Sequence, residues 1–207
     1  ERTLVKDTIN KIGQTVTLKG WVNTKRDHSK IVFIDLRDRS GLAQIVFWGE
    51  IATPAKALRP EDVVEIEGLI KERSKNNINP DLETGTVEIE ATKLTVLAHS
   101  GEMPFDMGKE DLDLDISTLL DYRSLSFRHP KIQAIFKVQA TVIDAFRKAL
   151  IARDFLEFQA PSIISSIPEG GAEVFKVKYF NNEAFLSQSP QLYKSLLTTA
   201  FERVFSV

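Results

Sequence analysis

The sequence predicts a β-barrel followed by an α+β domain, and three observations support that reading. Residues 1–100 alternate apolar and polar side chains with a period of 2, and residues 129–151 repeat apolar side chains at close to 3.6. An acidic, glycine-containing stretch separates the two patterns. Thr15 to Val22 alternates as a half-buried strand does, Ile31 to Leu36 follows, and after a turn over Asp38 to Gly41 comes Leu42 to Trp48. These three runs predict a meander. Recurring Ala and Leu predict a short helix over Ala52 to Leu58, and Val63 to Ile70 and Val87 to Leu97 supply two more strands around a polar loop, Ser74 to Gly85. Five strands with one helix after the third is the order of an OB-fold barrel, an architecture that binds oligonucleotides.

Beyond the acidic stretch, His129-Pro130 opens a long amphipathic helix. Ile132, Ile135, Phe136, Val138, Val142, Ile143, Phe146 and Leu150 form its apolar stripe, and Pro130 suits the first turn, where its missing N–H has no partner to lose. Phe155 to Ala160 reads as a strand stopped by Pro161, and Val174 to Phe180 with Ala184 to Leu186 as a hairpin around Asn181-Asn182. Ser189-Pro190 begins a helix running to about Phe201, and Arg203 to Val207 starts another strand. The expected organisation is a barrel over 1–100, an acidic linker or hinge over 101–128 and an α+β domain over 129–207.

Composition excludes several chemistries. Zero Cys in 207 residues removes disulfide scaffolds, Cys-ligated zinc, iron–sulfur sites and cysteine nucleophiles, and it suits a reducing, cytoplasmic setting. The 3 His leave little for a His-based metal site. No apolar run approaches the ~20 residues of a membrane span, and Glu1-Arg2-Thr3-Leu4 lacks the apolar region of a signal peptide, so no membrane partner is expected. The net charge of −2 hides an asymmetry. Lys11, Lys19, Lys25, Arg26, Lys30, Arg37 and Arg39 stand against Asp27, Asp35 and Asp38, whereas Glu102, Asp106, Glu110, Asp111, Asp113 and Asp115 face Lys109 alone. A basic face on the barrel suits a polyanion.

Three constellations could carry chemistry. Arg26, Phe33 and Gln44 sit on or beside adjacent barrel strands, where an aromatic ring can stack an unstacked base while Arg and Gln bond a base edge or phosphate. A core position for Phe33 is the structural alternative, but alternation sets it with Asp35 and Arg37, opposite Val32, Ile34 and Leu36. Glu169-Gly170-Gly171-Ala172-Glu173 pairs glycines with carboxylates, as a loop closing over a ligand would, or a plain surface turn. Gln191 and Lys194, three apart on one helical turn, share a face suited to a ligand with a carboxylate and an amine-like end, although an ordinary capped helix has the same pattern.

Taken together these segments resemble the aspartyl-tRNA synthetases, class II aminoacyl-tRNA synthetases of subclass b. The resemblance runs from about Thr3 to the last residue. It rests on Gly20-Trp21-Val22, Phe33 to Asp38, Glu169 to Phe175, Gln188-Ser189-Pro190-Gln191-Leu192-Tyr193-Lys194 and Phe201 to Phe205 in this order and spacing. It implies that Phe33 stacks on the central anticodon base, that Gln44 bonds that base, and that Arg26, Asn77 and Glu88 make further anticodon contacts. Phe155 to Ile164, with Pro161, resembles motif 1, which implies a homodimer. Glu169 matches the loop glutamate that closes on L-aspartate, and Gln191, Leu192, Tyr193 and Lys194 match the amino-acid pocket, with Lys194 pairing the substrate side-chain carboxylate.

The sequence departs from the family where it stops, at Val207 inside motif 2. The main ligands of ATP and Mg2+ would lie beyond that residue, so no catalytic residue and no metal ligand is expected here, and this polypeptide alone is expected not to form aminoacyl-adenylate. Two other functions remain open at this point: a stand-alone OB-fold module that binds tRNA or other nucleic acid, and the related asparaginyl-tRNA synthetase.

Overall fold

The computed structural model describes residues 1–109, 111–166 and 173–207. It divides into two compact units, Glu1–Asp121 and Tyr122–Val207. The first is built on a closed barrel in which β1 (Thr15–His28), β2 (Ile31–Asp38), β3 (Gly41–Trp48), β4 (Val63–Glu72) and β5 (Val87–Ala98) are ordered β1-β2-β3-β5-β4. Every neighbouring pair is antiparallel except β3 and β5, and closure removes the free strand edges that an open sheet must hide. Alternation sends Leu18, Val22, Val32, Ile34, Leu36, Ile45, Phe47, Ile66 and Ile89 inward to a core from which solvent is excluded. Phe33, Asp35 and Arg37 face outward. The core position considered for Phe33 is therefore not the one it occupies.

Two local features position the outer face. Gly20 lies against the Arg37 carbonyl so closely that a Cβ would collide with it, which explains a glycine in the middle of β1. The register then shifts between Val22 and Thr24, leaving Asn23 extra. This bulge changes the phase of β1: Val22 points into the core, but Arg26, an even number of residues further on, pairs with Phe33 on the outer face. The expected strand ended at Val22 because the alternation breaks there, whereas the bulge carries β1 on to His28. α1 (Ala52–Lys56) follows β3, tied to β1 by the Lys25 ammonium, which donates to the Lys56 and Leu58 carbonyls at 2.6 Å each.

The stretch expected as a linker holds two short helices, α2 (Ile116–Asp121) and α3 (Arg123–Ser126). Asp115 caps α2, accepting from the Thr118 N–H at 2.9 Å and its hydroxyl at 2.8 Å. Those donors hold its carboxyl below the usual carboxylate range.

The second unit contains α3, α4 (Pro130–Ile151), α5 (Gln191–Phe201) and two small sheets. β6 (Leu156–Glu157) pairs in parallel with β10 (Val204–Phe205), and β7 (Ile163–Ile164) and β8 (Lys176–Tyr179) flank β9 (Asn182–Leu186) in antiparallel order. Arg147 on α4 grips Glu157 at 2.9 and 3.1 Å, and Phe146 meets Phe205 edge to face. The strand expected over Phe155 to Ala160 is confined to two residues, because its partner β10 is itself two residues long. The hairpin strand expected from Val174 begins at Lys176, and Phe180 turns it with φ +53°.

Candidate nucleic-acid interface and amino-acid pocket

The outer face of β1, β2 and β3 is a lattice of cross-strand pairs. Arg26 stands opposite Phe33 and Phe33 opposite Val46; one step along, Thr24 faces Asp35 and Asp35 faces Gln44. Such neighbours are close enough to touch. The Arg26 guanidinium reaches Asp35 and Gln44 at 3.4 Å each and lies 6.0 Å from the centre of the Phe33 ring, while His28 meets that ring edge-on at 5.7 Å. Thr24 donates a short hydrogen bond to Asp35.

Arg26, Phe33, Gln44, Asn77 and Glu88 line one concavity of about 390 Å3, together with His28, Arg73 and Asn79. Its chemistry is that of a base pocket: an aromatic wall, an amide that both donates and accepts, a carboxylate acceptor and guanidinium donors. Arg73 is the most constrained of these. Its Nε donates to the Val87 carbonyl at 3.0 Å and its Nη1 to the Asn77 carbonyl at 3.3 Å, but its buried Nη2 has no hydrogen-bond partner among the described residues. Burial lowers the guanidinium pKa, with Arg26 acting in the same direction and Glu88 and Asp35 opposing. An orphaned buried donor is costly until an acceptor arrives.

In the second unit Pro161, Leu192 and Tyr193 line a separate concavity of about 380 Å3 with Ile163, Ile164 and serines 165, 166, 187 and 189. Gln191 and Lys194 sit on the first turn of α5 but outside that lining; Ser189 Oγ accepts from the Gln191 N–H at 3.2 Å. Lys194 is half-buried and has no ion-pair partner among the described residues. Glu169 lies outside the described residues.

Residues 16–97 match the family described as an OB-fold nucleic acid binding domain, and residues 115–207 match the class II tRNA synthetases for D, K and N. The first match falls on the barrel and the second on the C-terminal part of the chain. It is 38% identical to the aspartate–tRNA(Asp/Asn) ligase of Thermus thermophilus over the whole chain and 46% of that protein. It is 39% identical to the Anoxybacillus flavithermus ligase of the same name, over 95% of the chain and 34% of that protein. Among solved structures it resembles the asparaginyl-tRNA synthetase of Pyrococcus horikoshii complexed with asparaginyl-adenylate, with a TM-score of 0.85 and 34% identity, covering the whole chain and 47% of that one. The chain thus spans from a third to just under half the length of the relatives it matches.

His28, Arg73 and Asn79 were not singled out from the sequence. The bulge at Asn23 hid His28, since an unbroken alternation would have put it on the other face. Arg73 follows the last residue of β4, just before the Asn-rich loop, and a lone arginine there carries no signal of its burial.

Proposed function

We propose that the protein is an aspartate–tRNA ligase whose barrel reads the tRNA anticodon loop and whose second unit holds part of the L-aspartate pocket. The observation that carries this reading is the convergence of Arg26, Phe33, Gln44, Asn77 and Glu88 on one concavity of the barrel's outer face. Phe33 stacks the central anticodon base, Gln44 bonds its edge, Arg26 meets a phosphate or base edge, and Glu88 accepts from an amino or imino group. Arg73 Nη2 supplies the donor that this pocket leaves unspent. Lys194 faces the substrate side-chain carboxylate, where a neutral side chain would leave a lysine unpaired. Glu169 is assigned to binding the amino acid.

In this reading the complete enzyme acts in the cytoplasm as a homodimer through motif 1 at Pro161 and consumes ATP with Mg2+. Adenylate chemistry would be supplied by ATP; the residues described here bind and orient the amino acid and the anticodon. No group of three or more His, Asp or Glu among the described residues is arranged to hold a metal ion, so no step is assigned to Mg2+ here. No described helix is long and apolar enough to cross a membrane.

The test is a titration of the chain with tRNA carrying an aspartate anticodon and with the same tRNA changed at the central base. Phe33→Ala is expected to weaken binding by about 1–3 kcal/mol and to abolish discrimination between the two. Equal affinity of the unaltered chain for both would refute anticodon reading. The likeness to an asparaginyl enzyme favours a second reading, asparagine charging. Amino-acid competition in the full-length enzyme separates the two, and Lys194→Ala is expected to cripple aspartate use in particular.

A further inference from the structure

The outer face continues past Phe33 to a second concavity that the anticodon reading does not use. β2 and β3 carry one more outward pair, Ile31 opposite Trp48, two residues beyond Phe33 and Val46 and so about 7 Å along the strands. Trp48 is 58% exposed, the most exposed large apolar side chain on the barrel strands. It is also held in place: the indole N–H donates to Glu90 at 2.7 Å, and Glu90 is clamped from the other side by Lys71. The Lys71 ammonium, then the indole N–H, keeps the Glu90 carboxyl below its usual range, so the anchoring carboxylate stays ionised. With the edge bonded, the face of the ring is free.

Around this ring Ser29, Lys30, Gly49, Thr53 and Lys56 complete a concavity of about 590 Å3. Its floor is apolar and its rim is cationic. Lys30 has no carboxylate partner among the described residues, and Lys56 donates to the Ser29 carbonyl at 2.7 Å with Asp27 no nearer than 3.8 Å. An apolar ring flanked by ammonium groups is the pattern that single-stranded nucleic acid selects, base on the ring and phosphate at the rim.

We infer that Trp48 forms a second stacking subsite, which takes the loop nucleotide next to the anticodon while Lys30 and Lys56 hold its phosphate. The inference rests on the barrel being an RNA-binding face. Three features favour a nucleotide over a peptide as occupant: continuity with the Phe33 pocket on the same two strands, an offset of only two residues along those strands, and a cationic rim.

The test uses the whole 207-residue chain and a labelled RNA hairpin carrying an aspartate anticodon, read by fluorescence anisotropy. Trp48→Ala is expected to weaken binding on the order of ten-fold, while Trp48→Phe, which keeps a ring, stays within about three-fold. Making one of the two loop nucleotides flanking the anticodon abasic should erase the difference between wild type and Trp48→Ala, as a shared contact requires. Lys30→Ala with Lys56→Ala should flatten the salt dependence by a slope of about 0.7, the value for the one phosphate contact they share in a single strand. Should Trp48→Ala melt well below the wild type, Trp48→Leu replaces it, since leucine keeps the apolar floor and lacks the π-face. If both Trp48→Ala and Trp48→Leu bind like the wild type while Phe33→Ala is weakened, the subsite is refuted and anticodon reading stands. A loss unchanged by either abasic hairpin also refutes it. If Phe33→Ala is silent as well, the RNA reading of the face falls and takes this subsite with it.

Discussion

The barrel and the second unit treat their apolar residues in opposite ways. In the barrel, strand alternation divides each element cleanly, and closure gives every inward side chain a neighbour. Phe47, Ile34, Ile45 and Ile66 lose all contact with solvent, so the polar outer face is free to carry a binding site. In the second unit, α4 and α5 are amphipathic but bury no residue fully; Val138 and Val142 remain 62% and 61% exposed and Leu196 61%. A barrel completes its own core, whereas a helix stripe needs an opposing surface. In the motif 1 dimer proposed above, a second copy would supply such a surface.

Core substitution should separate the two regions most strongly. Phe47→Ala removes a fully buried ring and is expected to cost about 3–5 kcal/mol of barrel stability. Phe146→Ala on α4, half exposed, should cost no more than about 1 kcal/mol, chiefly through the edge contact with Phe205. Denaturant unfolding followed in the barrel and in the second unit checks the contrast, and comparable losses would mean that the α4 face is covered in solution.

The next largest effect lies in the polar shell of the barrel. Arg37 bonds Glu61 through both carboxylate oxygens at 2.6 and 2.8 Å and Asn23 at 2.7 Å, and the two charged side chains are 12% and 2% exposed. Glu61→Gln leaves the guanidinium buried without its counter-charge, for an expected loss of about 3 kcal/mol. Replacing both partners by apolar residues should cost less than that single change. A double-mutant cycle measured by thermal melting tests the ordering.

A smaller, pH-dependent effect ties β5 to β4. Asp62 is buried; burial alone would raise its pKa, but the Ser100 and Arg59 N–H groups, the Ser100 hydroxyl and His99 outweigh it, so the carboxyl sits below 3.8. A carboxyl lowered in the folded state contributes stability above its unfolded pKa and loses it as the pH falls through the folded value. Wild-type stability should therefore decline below about pH 4, and Asp62→Asn should flatten that acid limb while lowering the neutral plateau. An unchanged acid limb would mean that other carboxylates govern it.

How far the sequence reveals this molecule follows the same division. Period-2 alternation gives the barrel strands and sets Phe33 outward, because one face of each strand is buried and the pattern must respect it. It fails at Asn23, where a bulge changes the phase without any change in composition, and so His28 escapes notice. The capping of α2 by Asp115 is written as Asp-x-x-Thr, yet the surrounding carboxylates make the segment look like a solvated linker. Of the residues proposed for aspartate, Leu192 and Tyr193 line one concavity, which also takes in Pro161 of the proposed dimer segment, while Gln191 and Lys194 share only the turn that holds them. Helical spacing places residues on a common face but does not say which cavity that face meets.

The smallest expected effect on folding bears most directly on the exposed stripe. Val138 and Val142 lie one turn apart on α4, and changing both to Glu should alter unfolding free energy by about 0.5 kcal/mol or less, since neither is buried. Like charges four residues apart account for part of even that small loss. The same pair should have a large effect on association if the stripe is an interface, because two carboxylates would enter an apolar contact unpaired. Sedimentation of the two forms at matched concentration reads this directly. A smaller assembly for the variant, with unchanged unfolding, would assign the stripe to a second copy; an identical assembly would show that a second copy does not cover it.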